Sequence, residues 1–231
     1  KISGENNALY ELASAQKIKA IIFQRKQQFK AADSLFKKAI AIRIKTGDLD
    51  QVSRDYLDFG NFYTDSLHYY VKAKFCYFQT INYAKKVNDS ALLAKANTNL
   101  AELYLKQNDF FTASKYVQRA FAYLNAPVTN LNKNPTSSDL YKTGINETII
   151  VLINNKIELL LKTFAAKKDN NLLKACMQTC LVMDTIITKM RKEQTGDESK
   201  LYWRNYTKDF YSNAIKTSFL GNNADAAFYF I

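Results

Sequence analysis

The sequence predicts an all-α chain folded as a solenoid of helical hairpins, about five of them with the last incomplete. The first observation behind this is a small residue followed three positions later by an aromatic one, at Ala20-x-x-Phe23, Gly60-x-x-Tyr63 and Ala101-x-x-Tyr104. The second is a small, large, small pattern further along each copy: Ala32, Phe36, Ala39, then Ala73, Tyr77, Thr80, then Ala113, Val117, Ala120. Corresponding positions recur every 40 or 41 residues, and self-similarity on that scale marks units that bury their apolar faces only against neighbours. The third is composition. A chain of 231 residues with only 6 Gly and 2 Pro lacks the turn punctuation that an all-β fold needs.

Each element follows from local signals. The first hairpin runs from about Glu5 to Lys45 and turns near Gln28. Thr46-Gly47-Asp48 then supplies a glycine for the left-handed turn after a helix and an aspartate to cap the next. The second hairpin covers Leu49 to Val87, turning at Leu67-His68, and Asn88-Asp89-Ser90 offers side-chain oxygens to the helix that follows. The third spans Ala91 to Leu124 with its turn at Gln107-Asn108-Asp109. Regularity breaks at Asn125 to Asp139, which holds both prolines and many residues that compete with helix. This is read as a surface loop, and it divides the chain into three hairpins over 1–126, an irregular stretch over 127–139 and longer, degenerate hairpins over 140–231. Three long helices are expected there, at Leu140–Lys167, Asn170–Lys192 and Glu198–Leu220. In the first of them Lys156 interrupts an apolar stripe of Ile149, Leu152, Ile153, Ile157, Leu160, Leu161 and Phe164. Its stem is expected to lie along that stripe with the ammonium reaching water. Ala227 would open a further second helix, but the chain stops soon after on Phe-Tyr-Phe-Ile, where a solenoid should close with a polar cap. The natural protein is therefore expected to continue.

The formal net charge is +12, from 33 basic and 21 acidic residues. Such an excess attracts polyanions, but only six of the bases are arginines, and lysines form solvated point charges in place of bidentate forks. The pairs Lys37-Lys38, Lys85-Lys86 and Lys167-Lys168 are placed near helix ends, where they complement the helix dipole. Nucleic acid is accordingly the less favoured partner. Cys76, Cys176 and Cys180 form no disulfide framework. The last two share a helix face and read as small apolar residues at an interface. The single histidine, His68, falls at a hairpin turn and reads as a surface or capping residue. Asp55 with Asp58, and Glu193 with Asp197, have the spacing of solvated helix faces. No phosphate-binding glycine loop, zinc spacing or nucleophile elbow is present, so the chain reads as a binding protein with no cofactor, no metal and no catalytic residue of its own. The richest apolar run, Ile149 to Ile153, gives way to Asn154, Asn155 and Lys156, too soon to span a bilayer. A cytoplasmic location is expected, with an exported form open because the chain does not start at a methionine.

At Phe59-Gly60-x-x-Tyr63, at Leu100-Ala101-x-x-Tyr104 with Ala113, and at Ala32-x-x-x-Phe36, the chain resembles the tetratricopeptide repeat family. It departs from that pattern in having no Trp at the first position and units about six residues longer than the usual ~34, which resembles the long-repeat subgroup. The resemblance implies a right-handed α-solenoid that binds protein or peptide in its concave groove, as the interaction arm of a larger protein. It also implies that the first helix of each hairpin lines that groove. There the residues beside the small positions are Lys17 and Gln24, then Arg54 and Asn61, then Lys95 and Asn99. These are the candidate ligand contacts. The carboxylate clamp of some relatives is matched at Lys17 and Lys95, but Ile21 and Asp58 replace its two asparagines and Asn99 its arginine, so that clamp is not expected. The stretch from Leu201-Tyr202-Trp203-Arg204-Asn205-Tyr206 to Ala227-Phe228-Tyr229-Phe230 is similar to the region that joins such repeats to a CHAT domain, a caspase-like peptidase fold. That implies an alternative role as the non-catalytic arm of a peptidase. The sensory arm of a signalling or transcription regulator is a further alternative.

Overall fold

The computed structural model describes the backbone over residues 2–142, 147–193 and 197–231, and side chains over 7–136, 138–140, 148–192 and 207–231. Among these residues there are eleven α-helices and no strand. They form two compact units, Lys1–Asn99 and Leu100–Ile231.

The first unit contains α1 (Ile2–Arg25), α2 (Phe29–Thr46), α3 (Leu49–Asn61), a five-residue π-helical turn at Phe62–Ser66, α4 (Tyr70–Lys86) and the start of α5 (Ser90–Lys106). Helix α1 packs on α2, α2 on α3 and α3 on α4. The boundaries fall at the expected turns because each junction carries the right chemistry. Gln27, Gly47, His68, Asn88 and Asn108 all have positive φ, one at every junction and 20 or 21 residues apart. Only Gly47, at φ 75°, takes this conformation without a steric penalty, while asparagine tolerates it better than most residues. The aspartate that follows caps the next helix: Asp48 accepts from Gln51 N at 3.4 Å, Asp89 from Leu92 N at 2.8 Å and Asp109 from Thr112 N at 3.0 Å. The exposed His68 ends the π-helical turn with its Nδ1 2.9 Å from the Thr64 carbonyl oxygen.

The repeat positions form the core. Ala20, Ala101, Ala32, Ala73, Ala113, Ala39 and Ala120 are fully buried, and Phe36, Tyr77 and Val117 are buried with them. Gly60 shows why the position must be small. A Cβ there would lie 2.5 Å from a carbon of the Tyr77 ring, and that ring is tied down by its hydroxyl, 2.9 Å from Thr64 Oγ1 and 3.0 Å from Asn61 Oδ1. The small residue of one helix is thus the seat for the large residue of the next. Phe36 adds a cluster of rings, 5.1 Å from Phe59 and 5.6 Å from Phe62. Lys37-Lys38 differs from its expected place, for it lies in the middle of α2 and not at its end.

The second unit holds the end of α5, then α6 (Phe110–Tyr123), α7 (Ser137–Lys142), α8 (Glu147–Lys167), α9 (Asn170–Glu193), α10 (Asp197–Leu220) and α11 (Ala224–Tyr229). Helix α8 packs on α6, α9 and α10, with α7 on α9 and α11 on α10. Its core is the α8 stripe of Ile149, Leu152, Ile153, Ile157 and Leu160, facing Cys176, Cys180 and Met183 of α9 and Phe210 and Ala214 of α10. Two expectations are corrected here. The helix expected over Leu140–Lys167 is two elements, α7 and α8, with residues 143–146 between them outside the described range. The irregular stretch is not simply a surface loop either, since Ala126 and Val128 are buried. Lys156 ties down its middle, at Lys133 and Asn134.

Lys156 does not snorkel; it is fully buried. Its Nζ donates to the Lys133 carbonyl and, at 2.5 Å, to Asn134 Oδ1, and Thr179 of α9 donates to the same Asn134 oxygen at 2.8 Å. The Phe121 ring of α6 lies 5.9 Å from the ammonium. Burial lowers the Lys156 pKa to about 8. An amine so placed needs oxygen partners, and the irregular stretch supplies them.

Candidate functional site

Five of the six residues expected to line a groove on the first helices are engaged with neighbouring elements. Lys17 of α1 reaches Asp58 at 2.6 Å and Asp55 at 3.0 Å on α3. Burial opposes its charge, yet Asp58 and Asp55 outweigh that and hold the ammonium above the usual lysine range. Gln24 donates to Ser66 at 3.0 Å. Arg54 forks onto Asp50, with both contacts at 3.1 Å, and also reaches Asp89 at 2.9 Å. Asn61 accepts from Asn99 at 2.7 Å as well as from Tyr77. Lys95 lies half-buried on α5. Five of the six therefore tie the first helix of one hairpin to a later element, and the structure assembles them as bridges.

Asp55 corrects the reading of Asp55 and Asp58 as a solvated pair. Its side chain is fully buried, between Lys17 and Arg43 Nε, the latter at 2.7 Å. Arg43 of α2 reaches on to Asp48 at 3.1 Å and donates to Ser14 of α1 at 3.2 Å. Burial pushes the Asp55 carboxyl up against the pull of both cations. One carboxylate so fixes α1, α2 and α3 in register. Sequence spacing alone missed it because Arg43 and Lys17 are distant in the chain. The signal was an acid at a position flanked by Val52 and Phe59 on the buried face of α3.

An open concavity of the first unit lies elsewhere, among α2, α3 and α4, with a volume of about 450 Å³. Ile40, Ala41 and Ile44 of α2 form one wall, and Val71 and Phe75 of α4 the other. Tyr56 and Phe59 of α3 form the floor with Tyr63 of the π-helical turn. Exposure of 80% at Val71, 57% at Phe75 and 44% at Ile44 leaves the walls open to water. The Tyr56 ring is held by stacking on Tyr83 at 5.8 Å and by the edge of Phe75 at 6.4 Å. Lys37, Lys72 and Cys76 complete the lining, which contains no carboxylate. Asp33 lies beside it, bound by Lys37 at 2.6 Å and by the Tyr63 hydroxyl. Although burial opposes its charge, those two hydrogen bonds hold the Asp33 carboxyl below its usual range. Burial first, and the bond to Asp33 next, push the Tyr63 phenol well up. Lys72 Nζ rests 5.3 Å from the Tyr63 and Tyr69 ring centres.

The three thiols are buried and differ in their titration: the hydrogen bond with Cys180, helped by Thr217 and Lys156, outweighs burial and lowers Cys176. Burial pushes the Cys76 thiol up to about 12. Cys176 and Cys180 are buried, the former 3.3 Å from Thr217 Oγ1, and the bond to Cys176 together with burial pushes the Cys180 thiol up. Among the described residues no three metal-capable side chains gather and no helix is long and apolar enough to cross a membrane. The side chains of Leu201 to Tyr206, Glu193 and Asp197 lie outside the described residues. No protein-family model matches the chain, and no curated protein matches it.

Proposed function

We propose that the chain is a protein- or peptide-binding helical scaffold, a right-handed α-solenoid of tetratricopeptide-like hairpins serving as the interaction arm of a larger protein. The observation that carries this reading is the open apolar groove among α2, α3 and α4. Exposing Val71, Phe75 and Ile44 together in one concavity has no use in packing the hairpin, whereas a contiguous apolar hollow of a few hundred Å³ suits the side chains of a guest. The groove lies between the second helices α2 and α4, with α3 as its floor. Lys17, Gln24, Arg54, Asn61 and Asn99 already have partners, so a ligand using them would have to displace existing bridges. No catalytic role is assigned, because all three thiols are buried away from any substrate and His68 is at a turn with its Nδ1 against a backbone carbonyl.

The test is selection from a displayed library of random twelve-residue peptides, run in parallel on the native chain and on Val71→Glu and Phe75→Glu. Enrichment on the native chain that both variants lose supports the groove. Enrichment that persists in both variants, or none on the native chain, overturns it.

A further inference from the structure

Charge in the first unit is sorted by helix. Helix α2 carries Lys30, Lys37, Lys38, Arg43 and Lys45 against Asp33 alone, and α4 carries Lys72, Lys74, Lys85 and Lys86 with no carboxylate. Helices α1 and α3 are balanced the other way, with Lys17, Lys19, Arg25 and Arg54 against Glu5, Glu11, Asp50, Asp55 and Asp58. Of the α2 and α4 cations, Arg43 is buried in the ion-pair network, whereas Lys30, Lys37, Lys38, Lys45, Lys72, Lys85 and Lys86 are exposed. The apolar groove thus runs between the two cationic helices of its unit, and two of the exposed lysines line it.

We propose that this groove receives an acidic amphipathic peptide segment of a partner protein, its apolar side chains seated against Ile40, Phe59 and Phe75 and its carboxylates facing Lys72 and the lysines of α2. This rests on the binding reading above and names the partner's chemistry. Two features favour such a segment over a nucleic acid. The wall at Ile40, Ala41 and Ile44 is aliphatic and only Phe75 among the lining rings is strongly exposed, which suits branched side chains better than a run of stacked bases. The cations are lysines, which attract carboxylates without the bidentate geometry that arginine gives to phosphate. Charge at the rim of a groove acts mainly by steering and by excluding wrong partners, so a basic peptide of equal apolarity should be rejected.

The experiment takes the peptides selected on the native chain and measures their affinity by fluorescence anisotropy. Each is compared with a counterpart in which every Asp and Glu is replaced by Asn and Gln, at low and at physiological salt. The expected result is that selected peptides are rich in Asp and Glu and bind at least tenfold more tightly than their amide counterparts at low salt. Lys72→Glu should lose about tenfold while Lys19→Glu, an equal charge change on α1, changes affinity less than twofold. Selected peptides that are neutral or basic but lost with Phe75→Glu would leave the groove standing and overturn the acidic partner. Equal losses in the two lysine variants would reduce the effect to net charge and also overturn it. A single-stranded oligonucleotide that binds in place of peptides, with binding lost in Lys72→Glu, would overturn both readings.

Discussion

In the first unit Asp55 is buried between the cations Lys17 and Arg43, whereas in the second the ammonium of Lys156 is buried against amide and carbonyl oxygens. The two arrangements solve the same desolvation problem by different means. A carboxylate between cations on separate helices accepts only one relative placement of those helices, so it fixes register. A single amine accepts any suitable oxygen and draws in the nearest polar stretch of chain. Hence the regular unit is bolted helix to helix, while the degenerate one is pinned through a loop.

Perturbations of decreasing size sharpen this contrast. If the ion pairs of the first unit chiefly set register while apolar burial supplies most stability, Phe36→Ala should be the most damaging single change, costing roughly 3–5 kcal/mol in a urea melt. Asp55→Ala should cost about 3 kcal/mol, the lower end for breaking a buried pair, since Lys17 and Arg43 keep Asp58 and Asp48. A cost near zero would mean that the buried acid contributes nothing to register. Lys156 should differ in its pH response. Its folded pKa of about 8 lies below the ordinary 10.5, so between those values the unfolded chain binds the proton that the folded chain has released. Stability therefore rises as pH increases through that window. Measured against Lys156→Met, the native chain should gain about 2–3 kcal/mol between pH 7 and pH 10; a flat difference would show the amine to be solvated. The smallest effect is expected of Gly60→Ala. Alanine gains up to ~1 kcal/mol of helix propensity, but its methyl group would meet the anchored Tyr77 ring, and overpacking costs about 1–3 kcal/mol. The balance should be a loss of ~1 kcal/mol, and pairing the change with Tyr77→Leu should abolish that loss.

The hairpins were legible because small and large positions recur at fixed intervals, and because Gly47, Asn88 and Asn108 mark turns by residue type. The groove was not. Its lining joins Lys37 to Tyr56 and Phe75, which no periodicity relates, and its exposed aromatics occur beside the buried ones of the same helices. The first-helix candidates were found by position, but whether a polar residue faces a ligand or a neighbouring helix depends on the distant partner. Lys17 needed Asp58, and Gln24 needed Ser66. Lys156 escaped for the same reason, since nothing adjacent in sequence announces that Lys133 and Asn134 fold over it.

In an all-helical chain the irregular stretch is where an engineer would cut first, shortening the chain or splicing in a tag. Excising residues 127–139 here would strand an ammonium in the dark interior of a helix stack, so the segment that looks most dispensable is the one whose removal the helices would feel most.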